Sequence, residues 1–75
     1  MAAIHAEWQK LCDEHDAARD EYFKAFAAVH QKFVAIAKGT SRTNPTMKEL
    51  DAFDAAWDKW EGVKRRMHEF VKKNT

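Results

Sequence analysis

Hydrophobic positions between Ala17 and Ala37, AARDEYFKAFAAVHQKFVAIA, recur at helical spacing. Ala18, Tyr22, Phe26, Val29, Phe33 and Ile36 fall in one line, in steps of four or three residues, close to the helical period. Phe23, Ala27, His30, Val34 and Ala37 form a second line beside it. The combined arc is wider than a coiled-coil seam requires, so this helix must bury its face against more than one neighbour. Upstream the stripe narrows to Ile4, Trp8, Leu11, His15, Ala18 and Tyr22, and acids fill most of the other positions. Gly39, just after Lys38, suits the left-handed residue that ends a helix. The pattern predicts a first helix over about 3–38.

A polar stretch, GTSRTNP, follows at 39–45 and holds the only proline. Thr46 with Glu49 three residues on reads as a capping box, in which each residue bonds the other's backbone N–H. Asn44 capping a helix that opens with Pro45 is the alternative, and it moves the boundary by two residues. The next stripe is Leu50, Phe53, Trp57, Trp60, Val63, Met67, Phe70 and Val71, which predicts a second helix over about 46–73. Gly62 lies inside it, either as a point of close helix approach or as a tolerated surface position.

Two helices joined by a short connection predict a single all-α domain over 1–75, an antiparallel helical hairpin. Pairing outward from the connection sets Ile36 level with Leu50, Phe26 with Trp60, Tyr22 with Val63 and His15 with Phe70. On that register Ile4 and Trp8 have no second helix beside them. Two arcs this wide cannot cover each other, and a lone hairpin would expose a band including Phe23, Val34, Ala56 and Val63. The expected form is therefore a homodimer closed into a four-helix bundle with coiled-coil-like packing. The residues expected at protein contacts are Ile4, Trp8, Phe23, Phe26, Phe33, Val34, Phe53, Trp57, Trp60 and Met67.

Charge supports the antiparallel alignment. Residues 1–22 carry a net −4, 23–48 a net +5, 49–61 a net −4 and 62–75 a net +4. Folding at the connection sets each acidic block beside a basic one, and each helix runs acidic to basic as its dipole prefers. A parallel alignment would set like against like. The chain total is only +1, so no global field of the nucleic-acid-binding kind exists.

Length adds a constraint. A chain of 75 residues rarely gains more than roughly 3–5 kcal/mol from its own core, so it calls for a staple or a partner. Cys12 is the only cysteine, which excludes an internal disulfide and favours a reducing compartment, the cytoplasm. The N-terminus does not read as a signal peptide. Lys24 and Lys32 interrupt the best apolar run, so no membrane span is expected.

Candidate chemistry is sparse. Cys12, His15 and Asp16 share one helical face and are metal-ligand types. A metal needs further ligands from a second helix, and only His68 and Glu69 are on offer there. His15 and Arg19 read instead as polar positions that fix register, and no metal or other cofactor is expected. There is no nucleophile–base pair, phosphate loop or HExxH sequence, so an enzyme is not expected.

Three functional readings remain. The first is a non-enzymatic protein–protein interaction module, an adaptor or regulator acting as a hairpin homodimer, with a further protein partner open. The alternative is a nucleic-acid-binding hairpin dimer using Lys64, Arg65 and Arg66. In architecture alone this is similar to RNA-binding hairpin dimers that control plasmid copy number, and no motif here matches them. The third is a peripheral membrane binder using the Phe-rich first helix.

Overall fold

The computed structural model describes residues 2–75. It holds two helices, α1 from Ala2 to Ala37 and α2 from Met47 to Lys73, packed as a hairpin. The body measures 56 by 18 by 15 Å. Its length is that of α1, whose 36 residues rise about 1.5 Å each.

Local chemistry fixes the ends that face the connection. Gly39 takes a φ of +75°, which its missing Cβ permits. Its N–H donates to the Ile36 carbonyl and the Thr40 N–H to the Ala35 carbonyl, both at 3.0 Å. That pair of bonds is the Schellman closure. The Ser41 N–H also reaches the Ala35 carbonyl, at 3.3 Å, so the chain turns back along the last turn of α1. At the start of α2 the capping box is complete. Thr46 Oγ1 accepts the Glu49 N–H at 3.1 Å, and Glu49 Oε1 accepts the Thr46 N–H at 2.9 Å. The alternative start at Asn44 and Pro45 is thereby set aside. Dipole complementarity at the turn level belongs to α2 alone, with Glu49 in its first turn and Lys72 and Lys73 in its last. The end turns of α1 have no such charges, since Lys38 falls just outside the helix.

Three ion pairs cross between the helices among the described residues: Glu14 with Arg66, Glu21 with Lys59, and Lys32 with Glu49. The first and third join an acidic block to a basic one, as the charge pattern predicts. The second joins Lys59, the one base of its acidic block, to another acidic block. Surface pairs contribute roughly 0–1 kcal/mol each, so the weight of the first two lies in alignment, while Lys32–Glu49 is half-buried.

The pairs also correct the register. Partner numbers total 80, 80 and 81 in the three pairs, against the 85 or 86 of pairing outward from the connection. The second helix therefore sits about five residues nearer the start of α1, roughly 7 Å at the helical rise. The backtracking connection accounts for the difference, because α2 begins beside Lys32 rather than beyond Ile36. Ile4 and Trp8 are consequently not left alone. The Trp8 ring lies 5.6 Å from that of Phe70, and Ile4, Trp8, Phe70 and Val71 line an open cleft of about 380 Å³.

The sealed core is small. Among the described residues Ala18, Val29, Ala56 and Val63 are buried, and no large side chain is fully enclosed. Ala56 and Val63 thus belong to the seam between the helices, not to the exposed band expected for them. Small residues let the backbones approach, and the large rings are displaced to one flank. Gly62 plays no part in that approach, because a Cβ built on it would meet nothing within 4 Å.

Candidate interaction surface

Helical spacing sorts the hairpin into two flanks. One carries the three interhelix ion pairs. Beside two of them lies a cleft of about 730 Å³, with Glu14, Lys59, Gly62 and Arg66 in its wall. Arg66 Nη2 stands 2.9 Å from Glu14 Oε2, a contact at ion-pair distance whose angle does not make a hydrogen bond.

The other flank is aromatic and is centred on Tyr22. Its ring lies 5.2 to 5.5 Å from those of Phe23, Phe53, Trp57 and Trp60, and stacks on Phe26 at 6.1 Å. Such centroid distances suit tilted and edge-to-face packing. The cluster extends to His30, stacked on Phe26 at 5.0 Å, and to His15, tilted against Trp60 at 5.9 Å. Tyr22 forms its hub, a role the sequence pattern did not single out. Packing between the rings still leaves much of them uncovered: Phe23 and Phe33 are each 52% exposed, Trp57 43% and Phe26 38%.

The expected contact residues therefore divide. Phe23, Phe26, Phe33 and Trp57 are exposed, and Val34, Phe53 and Trp60 are half-buried beside them. Met67 is half-buried in α2, while Trp8 and exposed Ile4 lie at the open end against Phe70. Met47, in the first turn of α2, is the most exposed of the large apolar side chains among the described residues, at 71%. The sequence stripe missed it by starting at Leu50. Its signal was an apolar residue directly after the capping threonine.

The basic cluster near the end of α2 is largely engaged. The Lys64 ammonium sits 4.3 Å from the Trp60 ring centre and 5.4 Å from that of Trp57, and 2.7 Å from Glu61. A cation over an indole face is attracted by the ring quadrupole. Arg66 is held by Glu14. Arg65 is exposed and has no carboxylate within ion-pair reach among the described residues.

Cys12 is a half-buried free thiol. His15 Nδ1 lies 3.3 Å from Asp16 Oδ1. Among the described residues no three His, Cys, Asp or Glu side chains converge as a metal set would. The Lys32 ammonium holds the Glu49 carboxyl below the ordinary value, helped by the Thr46 N–H. Among the described residues no helix is long and apolar enough to cross a membrane.

The chain matches no protein-family model, no curated protein and no solved structure.

Proposed function

We propose that this chain is a non-enzymatic protein–protein interaction module that works as a homodimer, two hairpins joined through their aromatic flanks into a four-helix bundle. The observation that carries this reading is the set of Phe23, Phe26, Phe33 and Trp57, each more than a third exposed, with Phe33 seven residues, about two helical turns, beyond Phe26. Aromatic side chains bury 150–250 Å² each when covered, so these four alone leave roughly 350 Å² of ring surface in water. The largest apolar patch on a typical monomer is about 300–600 Å² and is often functional. The ion-paired flank offers no comparable surface.

The nucleic-acid reading needs free cations, and Lys64 and Arg66 are already held by Glu61, two indole rings and Glu14. Light scattering at micromolar concentration tests the proposal. The expected mass is about twice 8.7 kDa. A folded monomer at that concentration, or tight RNA or DNA binding that falls steeply with salt, overturns it.

A further inference from the structure

The exposed aromatic surface is not spread along the hairpin. Phe23, Phe26, Phe33, Met47 and Trp57 all lie in the half nearer the connection. Among the described residues Ile4 and Val71 are the exposed large apolar residues of the other half, at its open end. Between that end and the aromatic half the corresponding flank carries His15, Arg19 and Lys64.

A two-fold dimer through this flank can be built in two ways. With the connections at opposite ends and full-length overlap, each aromatic half is laid on the open end of its partner and on the stretch that carries His15, Arg19 and Lys64. Sliding the hairpins until the aromatic halves coincide then sets α1 on α1 and α2 on α2. That places residues 23–48, with five bases and no acid, against their own copy. It does the same to residues 49–61, with five acids and one base. With the connections at the same end, α1 of one chain lies on α2 of the other. The Phe row then meets the Trp row over its whole length. The basic block of α1 faces the acidic block of α2, as it already does within each hairpin.

We infer that two copies of this chain dimerise with their connecting segments at the same end of the bundle, α1 of each protomer packed on α2 of the other. This rests on the dimer proposed above, and it specifies the arrangement. Both the location of the apolar surface and the block charges select it.

Paired spin labels distinguish the arrangements. Arg42 in the connection and Thr75 at the open end are both exposed, so Arg42→Cys or Thr75→Cys in a Cys12→Ser background supplies one label per chain at either end. Same-end connections put the labels within about 30 Å at both sites, a few helix diameters. Full-length opposite-end packing separates them by about the body length of 56 Å, and sliding the hairpins onto their aromatic halves moves the Thr75 labels farther apart still. Dipolar distances centred below about 30 Å at both sites in samples of dimeric mass are the expected result. A dimer with a distance near 50 Å or more at either site overturns the arrangement and leaves the dimer standing. Monomeric mass for these variants and for the unlabelled wild-type chain overturns both.

Discussion

Glu49 bonds Lys32 of α1 with the same carboxylate oxygen that accepts the Thr46 N–H at 2.9 Å. One side chain thus closes the capping box of α2 and fixes the level at which α2 meets α1. Glu49→Gln keeps a side chain able to reach the cap backbone but gives up the ion pair. Glu49→Ala loses both. Thermal melts should therefore rank wild type above Gln and Gln above Ala. Equal melts for the two variants would show that the interhelix bond contributes nothing.

The same carboxylate makes stability depend on pH in a defined direction. Its folded pKa lies below the ordinary value because of the Lys32 ammonium. The unfolded chain then takes up the proton at higher pH than the folded one, so this stabilisation is complete above the unfolded carboxylate value. It is lost as pH falls through the lower, folded value. Denaturant titrations from pH 7 down to pH 3 should show a smaller loss in Glu49→Gln than in wild type. A parallel loss in the two proteins would assign the acid sensitivity to other groups.

Two glycines should respond to alanine with opposite signs. Gly62 sits inside α2 with open space where its Cβ would go, so Gly62→Ala should stabilise by about 1 kcal/mol through helix propensity. Gly39 holds a φ of +75°, so Gly39→Ala should cost about 1 kcal/mol or more. Urea midpoints at constant slope provide the comparison. A destabilising Gly62→Ala would mean that another backbone comes close to α2 there.

Trp8→Ala checks the register. Its ring lies 5.6 Å from Phe70 within one hairpin, and the residue is half-buried. Removing it should cost about 1–2 kcal/mol, part of the value of a fully buried indole, and leave the dimer mass unchanged. Loss of the dimer would place Trp8 at the contact between chains.

Phe33→Ala asks the complementary question. The ring is 52% exposed, so its loss should cost its own hairpin little, while the proposed dimer weakens by roughly ten- to a hundredfold, as for a central interface ring. Sedimentation across a concentration series reads the shift. An unchanged dissociation constant would remove Phe33 from the interface.

What could be read from the sequence was local or collective. The Thr46–Glu49 box and the Gly39 stop depend on residues within a few positions of each other, so spacing alone reveals them. The charge blocks are collective, and two of the three interhelix pairs, Glu14–Arg66 and Lys32–Glu49, follow them. The register was not legible, because it depends on the path of residues 38–46, and nothing in GTSRTNP announces that Thr40 and Ser41 both bond back to Ala35. The seam was misjudged for a related reason. Hydrophobicity ranks Phe and Trp above Ala, yet it is Ala18 and Ala56 that let the helices close, while Tyr22 gathers the rings on one side. The exposed residues of the candidate surface were found as apolar positions, but which rings stay exposed depends on how they pack around Tyr22, which spacing does not show.

An enclosed core of two alanines and two valines has a bearing on the life of the protein in a cell. If the rings are covered only by a second copy, folding free energy is drawn from association, and the melting temperature rises with protein concentration. Dilution then acts as a denaturant. When synthesis stops and copies become scarce, the separated hairpins open and become substrates for proteolysis. Turnover would quicken as the last molecules disappear, so the level of such a protein falls off sharply instead of decaying at a constant rate.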